Sequence, residues 1–135
     1  MRIWDCGLRI EMTHAMTREV LQRRMRTLAV NTVGLTEQLP RSRAADVIAR
    51  QLVRSVTSVA ANYRSACQAR SRRDFIAKLG IVEEEADETG FWLDLLGECG
   101  FATASALAPL SREANELLAI TVASIRTARI GRAGG

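Results

Sequence analysis

The sequence is poor in what a β-rich, disulfide-stapled or metal-binding protein needs. Its 135 residues contain two prolines, three cysteines, one histidine and few aromatics, which make up 4%. Cys6, Cys67 and Cys99 are widely spaced and odd in number, with no Cys-x-x-Cys pair and no histidine beside them. That spacing suggests neither a zinc site nor a disulfide framework. Cys67 and Cys99 read instead as buried, inert thiols, and His14, lacking a second ligand, reads as a surface residue. No apolar run approaches the ~18 residues of a membrane span. The opening MRIWDCGLRI lacks the basic and long apolar regions of a secretory signal. No membrane association is predicted, and the cytoplasm is the expected compartment.

Catalytic chemistry is missing as well. No serine, threonine or cysteine has a candidate base near it, and no glycine loop suits a phosphate. The cluster Glu83, Glu84, Glu85, Asp87 and Glu88 lacks the inward Glu-x-x-His motifs that di-metal bundles place on facing helices. The expectation is a non-enzymatic protein with no cofactor and no metal. Glu85 or Glu88 is expected to pair with Arg50 or Arg54 on a neighbouring helix.

What remains is helix. Apolar residues make up 47% and charged residues 25%, ordinary proportions for one globular domain. Four segments carry apolar positions spaced alternately three and four apart. The first, about Thr17 to Leu39, has the seam Leu21, Met25, Leu28, Thr32, Leu35, Leu39 and ends at Pro40, which cannot continue the ladder. The second, capped by Ser42 and running to about Ala69, has Ala45, Ile48, Leu52, Ser55, Val59, Asn62, Ala66. Ser55 and Asn62 read as a register-setting polar layer. The third, capped by Ser71 with Asp74 three residues on, has Phe75, Leu79, Val82, Ala86, Thr89, Leu93, Leu96 and stops near Gly97–Gly100. The fourth starts between Ser105 and Leu110, with Pro109 in its first turn. Its seam is Leu110, Ala114, Leu117, Thr121, Ser124, Ala128, with Leu118 and Ile125 alongside. Matched lengths and short connections predict an all-α, antiparallel up-down four-helix bundle over residues 14–130, with an N-terminal arm at 1–13 and a glycine-rich tail at 131–135.

Eighteen of the nineteen basic residues are arginine, and net charge is +4. The distribution is uneven. Residues 41–78 hold nine basic and two acidic side chains, whereas residues 79–100 hold seven acidic and none basic. An up-down topology collects Arg64, Arg70, Arg72, Arg73, Lys78, Arg126 and Arg129 at one end, with Arg18 and Arg132. Arg72 and Arg73 open a helix, where the dipole disfavours cations. A basic cluster there, beside free backbone N–H groups, is a candidate site for the backbone of RNA or DNA. With no interleaved aromatics for base stacking, the binding is expected to be of low sequence specificity. The alternative is a solvated charge-rich turn on a structural or protein-interaction module. Outside the third seam lie Ile81, Phe91, Trp92 and Leu95, and outside the second Val47, Val53 and Ala60. Apolar residues on an outer face predict a homo-oligomer interface.

The stretches QLVRSVTSVAANYRSACQARSRRDF at 51–75 and KLGIVEEEADETGFWLDLL at 78–96 resemble a known family. It is the four-helix bundle family that includes proteins encoded in intervening sequences of bacterial large-subunit ribosomal RNA genes. More distant relatives include the accessory variability protein of diversity-generating retroelements. The matching residues are Gln51 to Ser55, Ser58, Asn62, Phe75, Glu85, Glu88, Trp92 and Leu93. Many relatives carry a glutamate where this chain has Ser65 or Ala66. The resemblance implies a bundle that assembles into a ring, a pentamer, and in the proposed role a basic accessory to a reverse transcriptase and its RNA. It implies no catalytic residues.

Overall fold

The structure, a computed structural model, describes residues 16–134. The arm at 1–13, with Cys6, and His14 lie outside the described residues. Four helices follow in order: α1 Arg18–Thr36, α2 Arg43–Cys67, α3 Arg72–Glu98 and α4 Ala104–Gly134. Each packs against the next and α4 returns against α1, which is the up-down bundle expected.

Every helix begins at a hydroxyl. The side chains of Thr17, Ser42, Ser71 and Thr103 accept from the backbone N–H of Val20, Ala45, Asp74 and Ala106 at 3.0–3.2 Å, satisfying donors that have no partner within the helix. At the other ends, α1 stops at Thr36 and α2 at Cys67, two to three residues earlier than periodicity predicts. There the backbone tightens: Gln38 and Leu39 donate to Leu35 and Thr36, and Gln68 and Ala69 to Ser65 and Ala66, the three-residue spacing of a 3₁₀ turn. After α3, Gly100 takes φ +73. Gly100 N–H then reaches Gly97 and Phe101 N–H reaches Leu96, a Schellman closure that a side chain at Gly100 would strain.

The fourth helix departs most from expectation. It starts at Ala104, so Pro109 lies in the second turn and removes a ladder bond to Ser105. Both residues are exposed, so water can serve the Ser105 carbonyl. The helix also continues through Gly131 to Gly134.

The core is formed by the predicted seams, and on α3 all seven predicted residues are buried. On α2, Val56 and Tyr63 are buried while Asn62 is only half-buried. A straight helix drifts ~20° per heptad from a 3.5-residue repeat, so about five turns into α2, at 3.6 residues per turn, the inner face has moved from Asn62 to Tyr63. Asn62 instead donates to Ser58 O and Ser58 Oγ on its own helix, both at 2.9 Å. The polar layer that does cross helices is Ser55 facing Thr89 at 3.1 Å. Each hydroxyl also has a carbonyl in reach, Leu52 for Ser55 and Glu85 for Thr89. Cys67 is half-buried, but Cys99, at the exposed end of α3, is not the core thiol expected.

Candidate nucleic-acid interface

Inter-helix contacts fix the heights of the charged residues. Arg54 reaches Glu85 at 2.9 Å and also pairs with Glu88, which sets α2 against α3. Gly90 beside Asn115, Gly97 beside Leu107 and Gly131 beside Arg72 set α3 against α4. By this register Arg64, Lys78 and Arg126 share one height, and Arg70, Arg72, Arg73 and Arg129 lie at the tip beyond them. All seven are therefore at one end of the bundle.

They are not equivalent. Arg64, Arg70, Arg73, Arg126 and Arg129 are exposed. Lys78 makes an ion pair with Asp74 at 3.4 Å, one turn back on α3. Arg72 is half-buried across α3 and α4, and its Nε is buried without a hydrogen bond. Arg18 stacks its guanidinium over Phe75 at 5.3 Å, a cation–π contact inside the same end. Burial pushes the Cys67 thiol up and the Tyr63 phenol far up, so neither adds negative charge to this pole near neutral pH. The Arg132 side chain lies outside the described residues.

The acidic block occupies the middle and far part of α3. Glu85 and Glu88 both go to Arg54, one of the two arginines expected, and Trp92 Nε1 donates to Glu88 at 3.0 Å. The Arg54 guanidinium and this indole donor lower the Glu88 carboxyl below its ordinary range. Among the apolar residues outside the seams, Ile81 and Phe91 are exposed, Phe91 at 56%. Trp92 and Leu95 are half-buried against the core, with Phe91 meeting Trp92 edge-on at 4.8 Å. Val47, also exposed, is seven residues from Arg54 and so on the same stripe of α2, level with Leu95.

Two features escaped sequence reasoning. Arg24 on α1 clamps Glu113 on α4 with two bonds of 2.8 and 2.6 Å, and Glu116 lies at 3.2 Å. Only the topology brings these distant positions together. Val30 and Ile130 are exposed, and their signal was present: each is a large apolar residue off its own seam.

The described helices include none long and apolar enough to cross a membrane. The sequence profile of the 23S rRNA-intervening sequence protein family matches residues 18–123. A comparison with curated proteins finds no match. Among solved structures, the chain is similar to a protein of unknown function from the S23 ribosomal protein family of Bacteroides thetaiotaomicron VPI-5482. Identity is 34%, the alignment covers 82% of this chain and 99% of that one, and the TM-score is 0.76.

Proposed function

The chain belongs to the 23S rRNA-intervening sequence protein family, and from that premise we propose a non-enzymatic, homo-oligomeric accessory protein that holds RNA or DNA backbone on its basic pole. The observation that carries this reading is the gathering of Arg64, Arg70, Arg72, Arg73, Lys78, Arg126 and Arg129 at one end, of which only Lys78 makes an ion pair among the described residues. Phosphate attracts such a surface through counterion release, without reading sequence. The family's link to ribosomal RNA genes favours RNA as the first ligand to try, and a reverse transcriptase is the protein partner to test beside it. A cytoplasmic location goes with this role. Exposed Ile81 and Phe91, with half-buried Trp92 and Leu95 beside them, support self-association, because exposed apolar area with aromatics marks interfaces.

Fluorescence anisotropy with a short single-stranded RNA, at roughly 50 and 200 mM salt, tests the proposal. Affinity should fall steeply with salt. Replacing Arg70, Arg72 and Arg73 with alanine should flatten the log–log slope by about 2, at about 0.7 per phosphate contact. An RNA affinity indifferent to salt or to these arginines would remove the nucleic-acid reading. The exposed apolar residues Val47 and Phe91 would then favour a protein-interaction module.

A further inference from the structure

Of the four methionines in the chain, Met16 and Met25 fall among the described residues. Their surroundings differ. Met25 is fully buried in the core. Met16, the residue before the Thr17 cap of α1, is half-buried and packs on one side against the core. Its Sδ accepts from Arg24 Nη1 at 3.4 Å. The pair spans two turns of α1 and joins the entry of the helix to the guanidinium that links α1 to α4.

The donors of Arg24 are unevenly used. A guanidinium presents its N–H groups in a fixed fork. Nε and Nη2 bond Glu113 at 2.8 and 2.6 Å, and Nη2 lies 3.2 Å from Glu116. These carboxylates hold the group in place. Nη1 has only the Met16 thioether among the described residues, and a thioether is a weak acceptor. A charged donor thus faces a poor acceptor on a side chain that solvent reaches.

We propose that Met16 is an oxidation site, and that its sulfoxide latches the start of α1 to the clamp between Arg24 and Glu113. Hydrogen peroxide is the oxidant. One of its oxygens passes to Sδ, two electrons pass from sulfur to the peroxide, and water leaves. The sulfoxide oxygen then accepts a charge-assisted bond from Nη1, the stronger class of hydrogen bond. Glu113 and Glu116 keep Nε and Nη2, so no existing contact is displaced. Methionine oxidation ordinarily disrupts a core by making an apolar side chain polar, and Met25 follows that rule. Met16 departs from it because one side is open to solvent and a fixed donor already meets its sulfur. The new bond tightens the seam between α1 and α4, the least extensively packed neighbours. Methionine sulfoxide reductases, with a thiol as reductant, restore the thioether, so the latch is reversible.

Peroxide titration of the folded protein, followed by tandem mass mapping and thermal unfolding, tests the latch. Met16 should be oxidised well before Met25. At the dose that converts Met16 and spares Met25, the oxidised chain should melt roughly 2–4 °C above the reduced one. The rise should be absent from Met16→Leu, which keeps the other three methionines, and from Arg24→Leu, which lacks the donor. Without peroxide, Met16→Gln should melt above Met16→Leu, because its amide oxygen stands in for the sulfoxide. A Tm that falls or holds on oxidation would overturn the proposal, as would a rise that survives Arg24→Leu. Oxidation of Met25 as readily as Met16 would overturn it too.

Discussion

The clamp between α1 and α4 is a contact whose strength can be worked out and measured. These two helices are the least extensively packed neighbours in the bundle, and Arg24 spans them. Its side chain is 20% exposed and that of Glu113 is 30%. Glu113, opposed by partial burial and helped by Glu116, holds the guanidinium still more firmly in its charged form. Exposed pairs contribute ~0.2–1 kcal/mol, and hydrogen bonds to charged groups ~1.5–3 kcal/mol. A clamp that is partly wet on both sides falls between, at about 1–1.5 kcal/mol. Arg24→Met keeps the apolar stem and removes the clamp. The expected loss corresponds to a Tm lower by roughly 3–6 °C for a domain of this size. Urea unfolding of the wild type, Arg24→Met, Glu113→Gln and the double variant gives the coupling directly. It should be near 1 kcal/mol and shrink in high salt. A coupling indistinguishable from zero would show the clamp to be an ornament of the surface. A single-variant loss above about 3 kcal/mol would mean that Glu113 is left as a buried, unpaired charge, contrary to its exposure.

Leu93→Ala, at a fully buried position of α3, should cost ~2–5 kcal/mol in denaturant unfolding, and a loss under 1 kcal/mol would place it outside the core. The lowered Glu88 carboxyl contributes stability that is complete above its unfolded value of about 4.3. That contribution is lost as pH falls through the lower folded value. The Tm gap between wild type and Glu88→Gln should accordingly narrow below about pH 4, and a gap constant from neutral to acid would contradict the Arg54 pairing. Iodoacetamide should modify Cys99 well before Cys67 in the folded protein, by peptide mass mapping, because Cys99 is exposed while burial pushes the Cys67 thiol up. Equal rates would refute that placement.

The architecture was legible because its signals are local. Hydroxyl caps at Ser42 and Ser71, the break at Pro40 and the three-four spacing of leucines each act within a turn or two of chain. The α3 seam was read whole for the same reason. Misreadings came where tertiary context decides. Asn62 yields the inner face to Tyr63 only through the slow drift of a straight helix. Cys99 is exposed because Gly100 turns the chain at the open end of α3. Pro109 sits in the second turn because Thr103 supplies an earlier cap than Ser105. The candidate pole could be assembled from topology alone, since alternate helix ends must coincide in an up-down bundle. The pairing of Lys78 with Asp74, the half-burial of Arg72 and the link from Arg24 to Glu113 depend on side-chain geometry that no spacing rule carries.

The central claim is an oligomer whose basic pole takes up nucleic-acid backbone, and the most direct test is light scattering after size exclusion, run with and without RNA at low and moderate salt. Against a chain mass of 14.8 kDa, a particle several times larger should co-elute with RNA at low salt and release it as salt rises. A monomer that ignores RNA at low salt would contradict both halves of the account.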